Sequence, residues 1–225
     1  MTTRIELNTL IRRRLNDQLA PQMFTDEQIN QWINDAIEEY SRYFPRVKTA
    51  ALATTANDRQ YDLPADYRGI VSVEYPTGDD PPTYLERRDY RHPDFWIEDG
   101  FYDVVHRSDA GNADEIWISQ KPAAAQTITI EYLGDHDLVD DDTDVISIFD
   151  LHLEVIVLHA RWSALQALAS GEAANPDPNN VLLDRYEANV SRAERSYYRK
   201  IEELRRVEAE SGMNAWPMDK WDRVY

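Results

Sequence analysis

The sequence contains no cysteine and only seven glycines among its 225 residues. Without thiols the chain can form neither disulfide bonds nor thiolate metal sites, which favours folding in a reducing cytoplasm. The few glycines form no phosphate-binding loop, and no nucleophile or kinase motif is present. The sequence therefore predicts a protein without a catalytic constellation and without a cofactor.

Long apolar runs are also missing. The first residues carry no apolar run of signal-peptide length, and no stretch of 18 uninterrupted apolar residues occurs anywhere. The most apolar region, 146–168, is interrupted by five charged or histidine side chains. We therefore expect no contact with a membrane.

Basic residues are scarce, with 24 Lys and Arg against 42 Asp and Glu, for a net charge of −18. Nucleic-acid binding depends on Lys and Arg that release phosphate counterions, so this chain should not bind DNA over its whole surface. Two interpretations stay open. The charge either keeps the protein apart from others or forms a surface that lets a polyanion pass without binding it.

The clearest local signal is the stretch 24–45. Thr25, followed by Gln28, makes a capping box at a helix N-terminus, and Pro45 ends the helix. Apolar side chains at spacings of three and four form one stripe: Ile29, Trp32, Ile33, Ala36, Ile37 and Tyr40. The opposite face is acidic, with Asp26, Glu27, Asp35, Glu38 and Glu39. A helix with so wide a stripe needs partners.

Three more helices supply those partners. The first, 4–15, has a rough stripe of Ile5, Leu10, Ile11 and Leu15, with Leu7 beside it. The second, 148–170, is apolar almost all round, which predicts a central helix capped by Ser147 and ended by Gly171. The third, 180–211, has a near-heptad seam: Leu183, Tyr186, Val190, Ala193, Tyr197, Ile201 and Leu204.

Between the helices the period changes to that of short strands. Candidates lie at 48–55, 59–63, 69–75, 83–86, 101–106, 115–119 and 126–133, separated by turn signals. The predicted fold is α+β. A four-helix bundle (1–46 and 145–212) is built from both ends of the chain. A small antiparallel β-sandwich or barrel (47–134) is inserted in it, an acidic loop (135–144) follows, and an extended C-terminal tail (213–225) ends the chain.

Two clusters suggest metal binding. His152 and His159 share a face of the predicted helix 148–170, but they lack HExxH spacing and favour core histidines. The acidic run 135–144 begins like a calcium loop at Asp140, but Val145 and Leu151 stand where glycine and glutamate are required. A metal-binding or calcium-binding protein or enzyme that uses His152, His159 and this run is the alternative function. A cytoplasmic helical interaction module with an inserted β domain is a third.

Two segments suggest contacts with other chains. Arg12, Arg13 and Arg14 end the first helix, where they either suit the helix dipole or pair with an acidic surface of another subunit. The tail is rich in large apolar residues: Met213, Trp216, Pro217, Met218, Trp221, Val224 and Tyr225. Such a terminus either folds back on its own core or docks on a partner, and the long preceding helix favours the partner.

Three motifs and the order of the elements point to one family. The first motif is FTDEQI at 24–29, followed by Trp32, Ile33, Ala36 and the end of the helix at 40–45. The second is YDLP at 61–64 with Asp66 and Tyr67, and the third is the strand ITIEYL at 128–133. In these and in its order of helix pair, β insertion, helix pair and tail, the sequence resembles the bacteriophage head-to-tail adaptor, or head-completion connector, proteins.

The resemblance implies a structural virion protein assembled in the host cytoplasm. It implies a ring, commonly of twelve copies, between the portal and the tail or nozzle proteins, around the channel through which DNA leaves. The tail residues from Met213 to Tyr225 would dock on the portal. Subunit contacts would involve Arg12, Arg13, Arg14, Trp32 and Tyr197. The acidic residues facing the channel would be Asp35, Glu38, Glu39, Asp140, Asp141 and Asp142.

Overall fold

A computed structural model shows an α+β fold, and it describes residues 2–107, 114–175 and 180–211. Its four helices are α1 (Arg4–Leu15), α2 (Asp26–Tyr43), α3 (Leu153–Ala173) and α4 (Asn180–Ser211). Its seven strands are β1 (Arg46–Ala53), β2 (Gln60–Asp62), β3 (Gly69–Glu74), β4 (Glu86–Arg87), β5 (Phe101–Val105), β6 (Glu115–Ile118) and β7 (Thr127–Gly134). None of its described helices is long and apolar enough to span a bilayer.

Helix α2 forms as its sequence predicts. The Thr25 amide donates to Gln28 Oε1 at 3.0 Å and the Gln28 amide donates to Thr25 Oγ1 at 3.2 Å, which completes the capping box. The stripe is buried at every position except Trp32, which is half-buried and packs edge-on against Phe24. The strong periodicity of this helix therefore decided both its bounds and its inward face.

Helix α1 has the predicted bounds but a different inward face. Leu7 and Ile11 are fully buried, whereas Ile5 and Leu10 of the predicted stripe are exposed. Leu7 and Ile11 lie four residues apart and so share one face, and Asn8 and Arg12, one position further on, are buried there through polar contacts. A stripe counted from apolar residues alone does not predict a buried face that includes Asn8 and Arg12.

Helix α3 is the central helix, since it contacts α1, α2 and α4. Both of its predicted ends were wrong. A 3₁₀ turn, Asp150–His152, precedes it, and the Ser147 hydroxyl does not cap it but lies 2.9 Å from His136 Nδ1. At the other end the helix continues through Gly171 to Ala173.

Helix α4 matches its predicted bounds and is about 48 Å long. The second half of its seam is buried, at Ala193, Tyr197, Ile201 and Leu204. The first half of the seam is only half-buried, so the partner surface available within this chain covers the C-terminal part of α4.

The strands form two sheets, ordered β1-β7-β3 and β2-β6-β5-β4. Neither sheet closes into a barrel within the described residues. All pairs are antiparallel except β4 with β5, which corrects the purely antiparallel prediction. The 83–86 candidate is shifted to Glu86–Arg87, and Tyr84 forms only an isolated bridge with Glu74. Both sheets contribute to a single core of buried side chains, including Val73, Tyr102, Ile116, Ile118, Ile128 and Ile130.

The chain divides into two compact units. The β unit is residues 44–135, and the helical unit consists of the residues before and after it. Within the helical unit, the Ser41 hydroxyl accepts the His136 amide at 3.0 Å. Within the β unit, β1 pairs with β7 over its whole length, from Arg46 opposite Gly134 to Ala53 opposite Thr127.

Candidate assembly surface

The acidic loop 135–144 is held in place by the N-terminus of α1. Arg4 Nη2 and Nε bind Asp142 Oδ1 at 2.8 and 3.2 Å, and Arg4 Nη1 donates to the carbonyl groups of Val139, at 3.3 Å, and Asp140. The Arg4 amide donates to the Asp144 carbonyl at 3.1 Å. An acidic segment that sequence alone would leave as a solvated loop is therefore fixed to the first helix.

A second attachment joins the same loop to α2. Asn34 makes a two-way contact with Val139, whose carbonyl accepts from Asn34 Nδ2 at 3.2 Å and whose amide donates to Asn34 Oδ1 at 3.1 Å. Asp35 follows Asn34 directly in α2. The structure thereby brings together two acidic groups that are about a hundred residues apart in the sequence.

We call the surface formed by Asp35, Glu38, Glu39 and Asp140 to Asp142 the acidic face. Most of its predicted members are exposed: Asp35, Glu38, Asp140, Asp141 and Asp142. The sixth, Glu39, is half-buried and pairs with Arg42 at 2.7 Å. The exposed carboxylates of the face therefore outnumber the cations that the structure pairs with them, and the surface carries net negative charge.

Asp144 shapes the turn of the loop. Its Oδ2 accepts the amides of Asp140 and Asp141, both at 2.8 Å, and these hydrogen bonds lower the pKa of the Asp144 carboxyl below its ordinary value. With Asp142 bound to Arg4 and Asp144 bound to backbone amides, these carboxylates are engaged by the protein itself. Among the described residues, no group of three or more His, Asp or Glu is placed to hold a metal ion.

The two histidines of α3 lie in different surroundings. His152 Nδ1 lies 2.6 Å from the buried Tyr40 hydroxyl, whereas the His159 ring packs edge-on against Trp162 and Tyr197. Burial lowers the pKa of His152, and the positive charge of Lys200 lowers it further. Burial also lowers the pKa of His159, partly offset by the nearby carboxylates Glu39 and Asp35. His152 is buried and His159 is half-buried, and the two rings do not belong to one cluster.

These two shifts predict a pH dependence of stability. A histidine whose pKa is lower in the folded state than its ordinary value of 6.5 binds protons preferentially when the chain unfolds. The free energy of unfolding should therefore fall as the pH drops below about 6.5, by at most roughly 1.4 kcal/mol per pH unit for each histidine. Urea titrations between pH 7.5 and 5.5 measure this, and H159Q should reduce the slope. A free energy that rises on acidification would contradict it.

The basic cluster at the end of α1 is divided by the structure. Arg13 and Arg14 are exposed, but Arg12 is buried and pairs with Asp17 at 2.8 Å and Asp26 at 2.7 Å. Its Nη1 and Nη2 also donate to the Phe24 carbonyl, both at 3.1 Å. Arg12 therefore joins α1 to the start of α2 within one chain, and we remove it from the expected subunit contacts.

The two aromatic interface candidates differ in the same way. Trp32 keeps a partly exposed edge, whereas Tyr197 is fully buried between α3 and α4 and offers no surface to a neighbouring copy. We therefore remove Tyr197 as well. The tail candidates Met213, Trp216, Pro217, Met218, Trp221 and Tyr225 lie outside the described residues.

The structure also contains a groove that the sequence analysis missed. It lies between α1 and α3, has a volume of about 390 Å³, and is floored by Leu10, Leu153, Val157 and Leu158. Its edges carry Arg14, Asp150, Glu154 and Arg161. The sequence carries no signal for this groove, because the pattern of each helix is read separately and the groove is the gap between two helices. This α1/α3 groove and the acidic face are the two candidate surfaces for assembly.

Comparison with known proteins identifies the family of this chain. No curated protein matches the chain. A family model described as SU10 adaptor protein matches residues 2–217, which is nearly the whole sequence and includes both units. This confirms the resemblance to phage head-to-tail adaptors that the FTDEQI, YDLP and ITIEYL motifs indicated. The chain belongs to the SU10 adaptor protein family, a family of structural phage adaptors rather than of enzymes.

Proposed function

We propose that this adaptor assembles into a ring, of about twelve copies, that joins the portal to the tail or nozzle proteins and surrounds the DNA exit channel. In this proposal the four helices of each copy form a bundle, and the bundles stand side by side in the ring. Assembly takes place in the host cytoplasm, before the ring becomes part of the virion. Family membership over residues 2–217 supports the role, and the acidic face supports the position of the channel.

The acidic face is the observation that carries the proposal. Its exposed carboxylates lie on α2 and on a loop that hydrogen bonds from Arg4 and Asn34 attach beside α2. A negative wall repels phosphates and offers no Lys or Arg contacts that would release counterions, so DNA can move along it without being bound. In the ring, Asp35, Glu38, Glu39 and Asp140 to Asp142 line or flank the channel. Arg13, Arg14 and Trp32 take part in contacts between copies.

Charge reversal tests the channel assignment. Rings of the variant D35K/E38K/D141K should retain DNA at low salt and release it as salt rises, because three cations replace three anions on the channel wall. The matched control, D184K/E187K/E202K, makes the same change in net charge at exposed positions of α4 and should behave like the unaltered ring. Filter binding of linear DNA over a salt series measures both. Equal retention by the two variants would remove the acidic face from the channel.

Deletion of residues 214–225 tests the contact with the portal. Without Trp216, Pro217, Met218, Trp221 and Tyr225, binding to purified portal rings should be lost, because aromatic anchors carry most of the energy of such contacts. The control, W96A, removes a partly exposed tryptophan from the β unit and should bind normally. Binding is measured by co-sedimentation with the portal. Unchanged binding by the truncated chain would refute the tail assignment.

A further inference from the structure

The α1/α3 groove is an apolar depression with a charged edge. At about 390 Å³ it falls in the range of pockets that take a ligand or a large side chain, roughly 300–1,000 Å³. Phe149 and Leu151, on either side of the groove residue Asp150, are 76% and 70% exposed. Exposed apolar surface of this kind, next to a groove, marks a site that another segment covers.

The end of α4 lies close to this groove. Lys200 Nζ of α4 is 3.5 Å from a carboxylate oxygen of Glu154, which lines the groove. Two turns later, Glu208 Oε1 is 3.8 Å from His152 Nε2, beside the first residue of α3. The described chain ends at Ser211, less than one turn beyond Glu208, and 14 residues follow in the sequence. An extended segment of that length reaches about 45–50 Å, which is ample to turn back along α3.

The chemistry of those 14 residues fits the groove. They carry two tryptophans, Trp216 and Trp221, either of which could fill the apolar floor. After Met218 they alternate in charge, with Asp219 and Asp222 against Lys220 and Arg223. The edge of the groove is likewise mixed, with two arginines and two carboxylates. Opposite charges can therefore pair along both sides of a segment seated there.

We propose that the α1/α3 groove is the docking site for residues 212–225 of the same chain, with a tryptophan in the apolar floor. Attachment to α4 gives the segment an effective concentration that a separate peptide would not reach. The inference goes beyond the ring function because it concerns the unassembled chain. A partner that binds this segment must first draw it out of the groove, so the groove sets how readily assembly begins.

The full chain allows a direct test, because it has no cysteine of its own. A bimane label at E154C sits at the groove, and tryptophan quenches bimane on contact. Fluorescence should be low in the labelled chain and should rise when W216F and W221F are added. A label at E187C, on an exposed site in the first half of α4, is the matched control and should not respond to the same two substitutions.

A groove variant supplies the second measurement. L158E places a charge at a half-buried floor position and should remove the quenching at E154C while both tail tryptophans remain. Circular dichroism checks that this variant is folded. If it is not folded, the test rests on the fluorescence of the E154C label with and without W216F and W221F. Equal fluorescence with and without the two tail tryptophans would overturn the proposal. Quenching that appears only at high protein concentration would also overturn it, since the groove would then hold the segment of a second copy.

Discussion

Replacement of Arg12 by alanine should lower the free energy of unfolding by roughly 3–5 kcal/mol, because it leaves a buried carboxylate without its partner. Asp17 is 6% exposed, and its carboxylate also accepts the amides of Met23, at 2.5 Å, and Phe24, at 3.2 Å. Arg12 and Asp17 thus fix the whole turn between α1 and α2. Urea unfolding monitored by circular dichroism measures the change.

Two further variants give this prediction its controls. R13A changes the adjacent, exposed arginine and should alter stability by no more than about 0.5 kcal/mol. R12K keeps the charge but not the planar guanidinium, which here reaches Asp17, Asp26 and the Phe24 carbonyl at once, so lysine should restore only part of the loss. If R12A proves as stable as R13A, the buried pair does not hold the two helices together.

Replacement of Tyr197 by alanine should lower the free energy of unfolding by about 3–5 kcal/mol, as expected for loss of a fully buried aromatic ring. Tyr197 stacks on Trp162 with ring centroids 6.0 Å apart and packs against His159 at 5.3 Å. These contacts join α4 to α3. The truncation leaves a cavity that the two helices cannot close without shifting.

The phenylalanine variant should act in the opposite direction. The Tyr197 hydroxyl is buried without a hydrogen-bond partner among the described residues, so Y197F removes an unsatisfied polar group and should stabilise the fold by about 1 kcal/mol. The matched control is Y40F, which removes a buried hydroxyl that does bind His152 and should be destabilising. Thermal and urea unfolding of the three variants measure these effects. A destabilising Y197F would mean that the hydroxyl has a partner after all.

The elements that could be predicted from the sequence are those with strong local signals. The capping box of Thr25 and Gln28 and the stripe behind it gave α2 correctly, and the long seam gave the bounds of α4. Where signals were weak, distant contacts decided the outcome. Ser147 could have capped a helix, but His136, from the other side of the acidic loop, binds its hydroxyl.

The candidate site shows the same limit. Residue type identified Asp140 to Asp142 and the acidic side of α2, but only the tertiary contacts of Arg4 and Asn34 show that the loop lies beside the helix. The arginine run at 12–14 looked uniform, yet the turn of the helix buries Arg12 and exposes Arg13 and Arg14. The α1/α3 groove has no signature of its own in the sequence, because it is formed by the gap between two helices.

The pairing of β1 with β7 has a consequence for how this protein can vary. The chain enters and leaves the β unit along two neighbouring strands, with Arg46 directly opposite Gly134. Ser41, which precedes the β unit, and His136, which follows it, are joined by a hydrogen bond within the helical unit. Paired strands lie only about 5 Å apart, so the two ends could be joined by a tight hairpin. The β unit could therefore be shortened, enlarged or exchanged without moving the end of α2 or the start of the segment that follows at His136.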